Sequence, residues 1–364
     1  MTFNEMKKYY NGKRVFVTGH TGFKGAWLCK ILNLMGAEIY GYSLLPSTEP
    51  SIYNLLQLDN LVHSTIGDVR DFEGLKNAME KAKPEYVFHL AAQPLVRESY
   101  RIPRETFDTN VMGTVNLLEC VRLIPDISSV LVVTTDKVYE NKDLIDYAFK
   151  EDDKLDGYDP YSNSKSCAEL VTHSYIKSFF NENSDVSVST ARAGNVIGGG
   201  DFSADRIIPD CVRAMKNKEA IGIRNPYSIR PYQHVLEPLI IYMTIAVLQR
   251  DNPELSGYYN VGPDVIDCIT TGELADMFVK YWGENASWIN IEERNSVHEA
   301  GFLKLDCSKL KKVFGWQPTW NINESVKNTV LWYKVWINAE DIIQITEKQI
   351  REFMDYGENE NGCC

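Results

Sequence analysis

The chain is predicted to fold as an α/β protein, a doubly wound parallel sheet with a smaller, interleaved α/β lobe towards the C-terminus. Three observations carry this. Short β-branched runs alternate with helix-length stretches from the start. One of those runs passes straight into a glycine-rich turn and then a helix. After residue 195 the alternation breaks into Gly198-Gly199-Gly200 and loop-rich sequence, which marks a second lobe.

Taken in order, strands are expected at 14–18, 38–42, 62–66, 86–90, 129–134 and 186–191. Helices are expected between them at 25–35, 72–81, 106–123 and 162–180, the last long enough to cross the sheet face. Residues 237–249 and 258–261 read as one more apolar helix and strand that return to the sheet. The first domain is thus expected over 1–195 with 236–262 returning to it. The second lobe takes 196–235 and 263–364, with amphipathic helices at 324–339 and 342–356. At 364 residues and 44% hydrophobic content, the chain has enough apolar material for this plan.

The net charge of -12 is spread along the chain, which argues against a nucleic-acid face, since that needs a basic stripe. An anionic substrate must then be held by a few local arginines. No apolar run approaches the roughly 20 residues of a membrane-spanning helix, and residues 1–13 are polar, so a cytoplasmic address is expected with no membrane partner. The eight cysteines show no CxxC pair and no histidines at zinc spacing. Neither a disulfide framework nor a metal site is expected. Most are read as free core thiols, with Cys363 and Cys364 on a solvated tail.

The strand 15–18 leads into Gly19-His20-Thr21-Gly22-Phe23-Lys24-Gly25 and the helical Ala26-Trp27-Leu28. Glycines serve a tight turn, close approach of backbone to a pyrophosphate, and packing of helix on strand. The exposed N–H groups and the helix dipole favour the anion. This is the signature of a Rossmann-type dinucleotide site, and it makes Gly19, Thr21, Gly22, Phe23, Lys24 and Gly25 cofactor-binding candidates. The second strand ends in Tyr42-Ser43, without the acid that takes ribose hydroxyls, which leaves NAD or NADP open. No arginine follows Ser43 closely, which counts against a 2′-phosphate. Asp68, after the third strand, has two readings: acceptor for an adenine amino group, or N-cap of the helix from Phe72.

Tyr161 and Lys165 stand at i and i+4, on one helix face. A tyrosine near pKa 10 is a poor base at neutral pH. An adjacent lysine and a nicotinamide cation lower it by about three units, worth roughly 4 kcal/mol. With the glycine loop, Asp68, His89-Leu90-Ala91-Ala92, Asn110 in Asn110-Val111-Met112-Gly113-Thr114, and this pair in the same order, the chain resembles the extended short-chain dehydrogenase/reductase family over about residues 12–335. The resemblance implies an NAD site to which Val69, Leu90, Ala91, Ala92 and Asn110 also contribute.

The segment at the end of the fifth strand, Thr134-Thr135-Asp136-Lys137-Val138-Tyr139, separates members of that family. Thr135 is implied to orient the sugar 4-hydroxyl. The pair Asp136-Lys137 resembles the acid and base of nucleotide-hexose 4,6-dehydratases, in which Asp then Glu is the common form. The further matches Gln93-Pro94-Leu95-Val96-Arg97, Gly194-Asn195-Val196-Ile197-Gly198, Arg224-Asn225-Pro226 and Leu303-Lys304-Leu305-Asp306 resemble the branch acting on CDP-glucose; Val138 departs from it, since Cys is expected there. By that resemblance, Tyr161 is implied to take the O4 proton and Lys165 to hold the cofactor ribose. Lys137 is implied to take the C5 proton, and Asp136 to protonate the departing C6 hydroxyl. Gln93, Asn195, Arg206, Arg224, Arg230 and His298 are the substrate-binding candidates.

Plainer readings stay open beside these. Lys137 also reads as a salt-bridge partner of Asp136 or Glu151, Asp136 as a helix cap, and Arg206 or Arg224 as structural pairs. The rival functions are a UDP-, dTDP- or GDP-sugar dehydratase and a 4-epimerase. The family resemblance implies a homodimer or higher homo-oligomer through helices 106–123 and 162–180.

Overall fold

The protein is described by a computed structural model over residues 1–144, 147–181, 184–283, 286–291 and 301–356. Seven strands lie side by side: β1 (Arg14–Thr18), β2 (Glu38–Ser43), β3 (His63–Ile66), β4 (Tyr86–His89), β5 (Ser129–Thr135), β6 (Ser187–Ala193) and β7 (Tyr258–Val261). All pairings are parallel, in the order β3-β2-β1-β4-β5-β6-β7. The chain builds outward from β1 to β3, crosses back to β4, and builds the other way. The crevice between the carboxyl ends of β1 and β4 is where such a sheet takes ligands.

The helices that matter here are α1 (Phe3–Tyr10), α2 (Phe23–Leu34), α3 (Phe72–Ala82), α4 (Gly113–Leu123), α5 (Pro160–Phe179), α6 (Ile207–Asn217), α7 (Leu236–Asp251), α8 (Thr271–Trp282), α9 (Ile322–Ile337) and α10 (Ile342–Met354). Alternation along β1 explains the layering, since successive strand side chains point to opposite faces. Val15 and Val17 pack with Trp27, Leu28 and Ile31 of α2 and with Ile241 and Ile245 of α7. Phe16 packs on the other face with Leu75 and Met79 of α3 and Leu117 and Val121 of α4. β4, β5 and β6 are buried at every position, as strands covered on both faces must be, whereas the four residues of β3 are exposed at the sheet edge.

Element ends differ from the sequence expectations for identifiable reasons. α5 starts at Pro160 because the Asp159 side chain accepts from Ser162 N, placing proline in the first turn, where its missing N–H costs nothing. β6 runs on to Ala193 because Arg192, which interrupts the apolar run, is neutralised inside the fold by Glu169 at 2.9 Å.

Beyond β6, three short strand pairs shape the smaller lobe: Val196–Ile197 with Gln233–His234, Ile229–Arg230 with Ile269–Thr270, and Ile221–Ile223 with Trp288–Asn290. α9 and α10 fold back onto the sheet domain. The buried Lys30 of α2 pairs with Glu347 of α10 at 2.6 Å, and Arg351 covers the Phe3 ring of α1. Cys29, Cys120, Cys211 and Cys307 are free and buried, Cys167 and Cys268 free and half-buried; Cys363 and Cys364 lie outside the described residues. Among the described residues no helix is long and apolar enough to cross a membrane.

Candidate active site

A cleft of about 1330 Å³ opens at the carboxyl ends of the strands, between the glycine loop and the smaller lobe. Gly19 has φ +75°, and a Cβ on it would stand 2.8 Å from the Ala91 amide nitrogen. A Cβ on Gly25 would fall 2.1 Å from the Gly19 carbonyl oxygen, so only glycine lets α2 start this close under the turn. The N-terminus of α2 has no side-chain cap. Its first N–H groups lack helix partners, and Gly22, Phe23, Lys24 and Gly25 all line the cleft. That arrangement fits the pyrophosphate of a dinucleotide. Thr21 secures the loop by donating to the Leu44 carbonyl at 2.8 Å and pairing with Ser43 Oγ at 2.9 Å. Burial, with help from Arg206 and Lys165 and against Asp136, brings the Lys24 ammonium down to about 7.

At the far end of this half, Asp71 is the cap of α3, accepting from Gly74 N at 3.1 Å, so the capping alternative for Asp68 does not hold. Asp68 lines the cleft gripped by Arg70, whose Nη2 lies 2.6 Å from Oδ2 and whose hydrogen bonds hold the carboxyl below its usual range. Arg70 is thus an arginine beside the cofactor half, remote in sequence from Ser43, that inspection of the second strand alone missed. Val69, Leu90, Ala91 and Ala92 line the same wall. The N–H groups of Leu90 and Ala91 both reach Thr18 Oγ1 at 3.2 Å, and Thr18 is itself fixed by His89 Nδ1 at 2.8 Å.

Asn110 stands behind the wall. Its side chain accepts from Gln93 N at 2.8 Å and donates to the Gln93 carbonyl at 3.1 Å and to Ser164 Oγ at 2.9 Å. Gln93 lines the cleft, but its carboxamide is engaged with Leu95 and Thr106. Asn110 ties the loop after β4 to α5 through Ser164, and the Gln93 side chain ties it to Thr106.

Thr135, Asp136, Lys137, Tyr161 and Lys165 converge on the cleft from the end of β5 and the first turns of α5. Thr135 Oγ1 donates to Asp136 Oδ1 at 3.0 Å and caps the short turn Asp136–Val138. Asp136 is therefore not the cap. It is 1% exposed, and its Oδ2 has no hydrogen-bond partner among the described residues. Lys137 forms no ion pair with Asp136 or Glu151 among the described residues, and Glu151 accepts from Asn260 N at 3.0 Å. Neither the ion pair nor the cap of the plainer readings is present among the described residues. Burial pushes the Tyr161 phenol up to about 12, with Asp136 adding to the rise and Thr135 and Arg206 opposing it; a nicotinamide cation would act in the opposite direction. Lys165 donates to the Val133 carbonyl at 3.1 Å, and burial lowers it to about 8. Desolvation is the largest influence on both groups.

On the lobe side, Asn195, Arg206, Arg224 and Arg230 line the cleft. Arg206 pairs with Asp201 at 2.9 Å and Arg224 with Asp205 at 2.8 Å, while Arg97 stands 4.0 Å from Asp205. Arg230 is buried and donates to the carbonyls of Ile229 at 2.9 Å and Gly301 at 3.3 Å. His298 lies outside the described residues. Sequence reasoning missed Asp201 and Asp205; their place just before Arg206 was the available signal. Among the described residues no three His, Cys, Asp or Glu side chains gather as a metal site would.

The chain is 48% identical over 353 residues to CDP-glucose 4,6-dehydratase of Salmonella typhimurium, covering 96% of this chain and 98% of that protein. Its fold is similar to UDP-glucose 4-epimerase of Thermotoga maritima, solved with UDP-glucose, with TM-score 0.77 and 21% identity over 89% of this chain and 99% of that one. It is also similar to dTDP-glucose 4,6-dehydratase of Bacillus anthracis in complex with NAD, with TM-score 0.71 and 21% identity over 88% and 96%. The family described as GDP-mannose 4,6 dehydratase matches residues 16–329. The chain belongs to that family.

Proposed function

We propose that the protein is an NAD-dependent lyase that converts CDP-glucose to CDP-4-dehydro-6-deoxyglucose and water. The observation that carries this is the meeting of Asp136 and Lys137 with Tyr161 and Lys165 in one cleft. The second pair suits oxidation at a sugar alcohol, and the first adds what an elimination needs. The choice of CDP-glucose rests on the relative that bears that activity in its name.

The glycine loop, Asp68, Val69 and Leu90 to Ala92 would hold NAD, which when bound accepts hydride from C4 and returns it to C6. Tyr161 takes the O4 proton as C4 becomes a ketone, and the ketone acidifies C5–H. Lys137 removes the C5 proton while Asp136 protonates the C6 hydroxyl, so the C6–O bond breaks and water leaves. Lys137 then gives its proton back to C5. The proton gained by Tyr161 replaces, through solvent, the one Asp136 gave up. Asp136 fits the acid role because its buried Oδ2 is available to a substrate hydroxyl.

Arg206, Arg224 and Arg230 face the diphosphate from the lobe formed by 196–235 and 263–364, with Asn195 at the junction before it. Arginine's fixed fork of donors matches phosphate oxygens. A cytoplasmic homodimer through α4 and α5 belongs to the same reading, supported by the exposed Leu123, Leu170 and Phe179 on those helices.

Parallel incubations with CDP-glucose, UDP-glucose, dTDP-glucose and GDP-mannose, read by mass spectrometry, test the proposal. The expected result is loss of one water from CDP-glucose; a product of unchanged mass, or water loss from another sugar instead, sinks it. In deuterium oxide, Lys137→Met is expected to lose turnover by about 10²- to 10⁴-fold together with deuterium at C5, while still binding NAD.

A further inference from the structure

Beneath the cleft lies a buried polar cluster that these steps leave unused. Arg192 of β6 and Glu169 of α5 are fully buried and pair at 2.9 Å. Glu169 also accepts from Thr190 Oγ1 at 2.8 Å and from the Thr134 hydroxyl. Burial works against its charge, but Arg192 and the hydrogen bonds around it hold the carboxyl down at about 2. The other arm of Arg192 donates to the Tyr139 hydroxyl and to the Glu151 carbonyl, both at 2.8 Å. Its guanidinium lies between the rings of Tyr139 and Tyr258, 5.2 Å from each centroid. Tyr139 donates onward to Asn260 Oδ1 at 2.5 Å.

Burying an ion pair costs several kcal/mol per ion and is weak support for stability. What the cluster joins explains it better. Glu169 continues the α5 stripe of Tyr161 and Lys165 at the next i+4 position. On β5 the cluster grips both sides of the acid/base turn, Thr134 just before Thr135 and Tyr139 just after Val138. A further tie from α5, Ser166 Oγ to the Val138 carbonyl at 2.7 Å, runs alongside.

We propose that Arg192 and Tyr139 are positioning residues for the elimination half of the reaction. They hold the Asp136-Lys137 turn in register with Tyr161 and Lys165, so that C5–H and the C6 hydroxyl meet base and acid while the sugar stays where C4 was oxidised. This rests on the dehydratase reading above.

The test is Tyr139→Phe, which keeps the ring stacked on Phe149 at 4.9 Å and removes only the hydroxyl. Single turnovers use whichever of the four nucleotide sugars the wild type dehydrates. C4 oxidation needs Tyr161 and Lys165, whereas water loss also needs the turn. The expected signature is a build-up of reduced nicotinamide absorbance, with product formation slowed about 10- to 100-fold, deuterium exchange at C5 slowed in parallel, and KM nearly unchanged. The inference is overturned if product forms at the wild-type rate, or if product and the reduced-nicotinamide signal fall together. Should Tyr139→Phe not be recovered folded, Arg192→Lys is read by the same two outcomes: it keeps a cation against Glu169 but lacks the fork that also reaches Tyr139. A wild type that dehydrates a sugar other than CDP-glucose sinks the substrate assignment and leaves this test standing.

Discussion

From Gly19 to Gly25 the cleft offers an anion mainly backbone N–H groups and a helix end, with the Lys24 ammonium beside them, fixed by glycine and by the hydrogen bonds of Thr21. Across the cleft, Arg206 and Arg224 offer full charges on flexible side chains, and each is already matched to an aspartate, Asp201 or Asp205. Backbone dipoles need no counter-ion, so the first half is ready-made. Side-chain cations collect carboxylates, so an anion entering the second half would compete with Asp201 and Asp205. The first design favours a cofactor that stays; the second favours a substrate that comes and goes, admitted only if its own charges replace what it removes.

The largest expected effect lies where the halves are tied together. Glu237, in the first turn of α7, accepts from Thr319 N at 2.8 Å and Trp320 N at 2.6 Å, anchoring the segment that leads into α9. Burial raises its carboxyl to about 8, above the ordinary 4.5. The folded state therefore keeps a proton that the unfolded chain has lost. This stabilisation is fully present below pH 4.5 and is lost as pH rises through about 8. Urea unfolding of wild type and Glu237→Gln across that window should differ in slope by up to about 1.4 kcal/mol per pH unit, the amide variant being the flatter. Equal slopes would mean that Glu237 is ionised throughout.

Next comes the ready-made half. Gly25→Ala forces a methyl towards the Gly19 carbonyl, and overpacking of this kind costs about 1–3 kcal/mol, or about a 5- to 150-fold loss of NAD affinity by calorimetry. Unchanged affinity would show that the turn yields and is not fixed. The smallest effects should split the second half. Arg224→Ala should raise KM about tenfold with little change in kcat, the pattern of lost uniform binding. Asp205→Asn, by freeing Arg224, should lower KM by about threefold, roughly 0.7 kcal/mol. A rise in KM on Asp205→Asn would show the aspartate orienting the arginine rather than competing for it.

The first half was also the more legible in sequence. Val15 to Thr18 and the three glycines state a backbone requirement, and such requirements act locally. Asp136 and Lys137 were legible because they follow a strand directly. Asn110 and Gln93 were read as ligands; the Asn110 side chain is bonded to the Gln93 backbone and to Ser164 of α5, a pairing between residues 17 apart that no local pattern marks. The partners of Arg206 and Arg224 depend on how a loop folds over the cleft. The burial that raises the Tyr161 phenol is a property of the tertiary structure that no local pattern marks. Glu169 could have been found, since it extends the i, i+4 spacing of Tyr161 and Lys165 by one more step, but its partner Arg192 read as the end of a strand.

The pairing of Lys30 with Glu347 sets a schedule as well as a contact. A ribosome delivers α2 roughly 300 residues before α10, an interval of about 15–60 s at about 5–20 residues per second. Throughout it, Lys30, 4% exposed in the finished fold, lacks its counter-charge. Lys30 of α2 thus waits on α10, and the two helices are tied by charge only once both have been made.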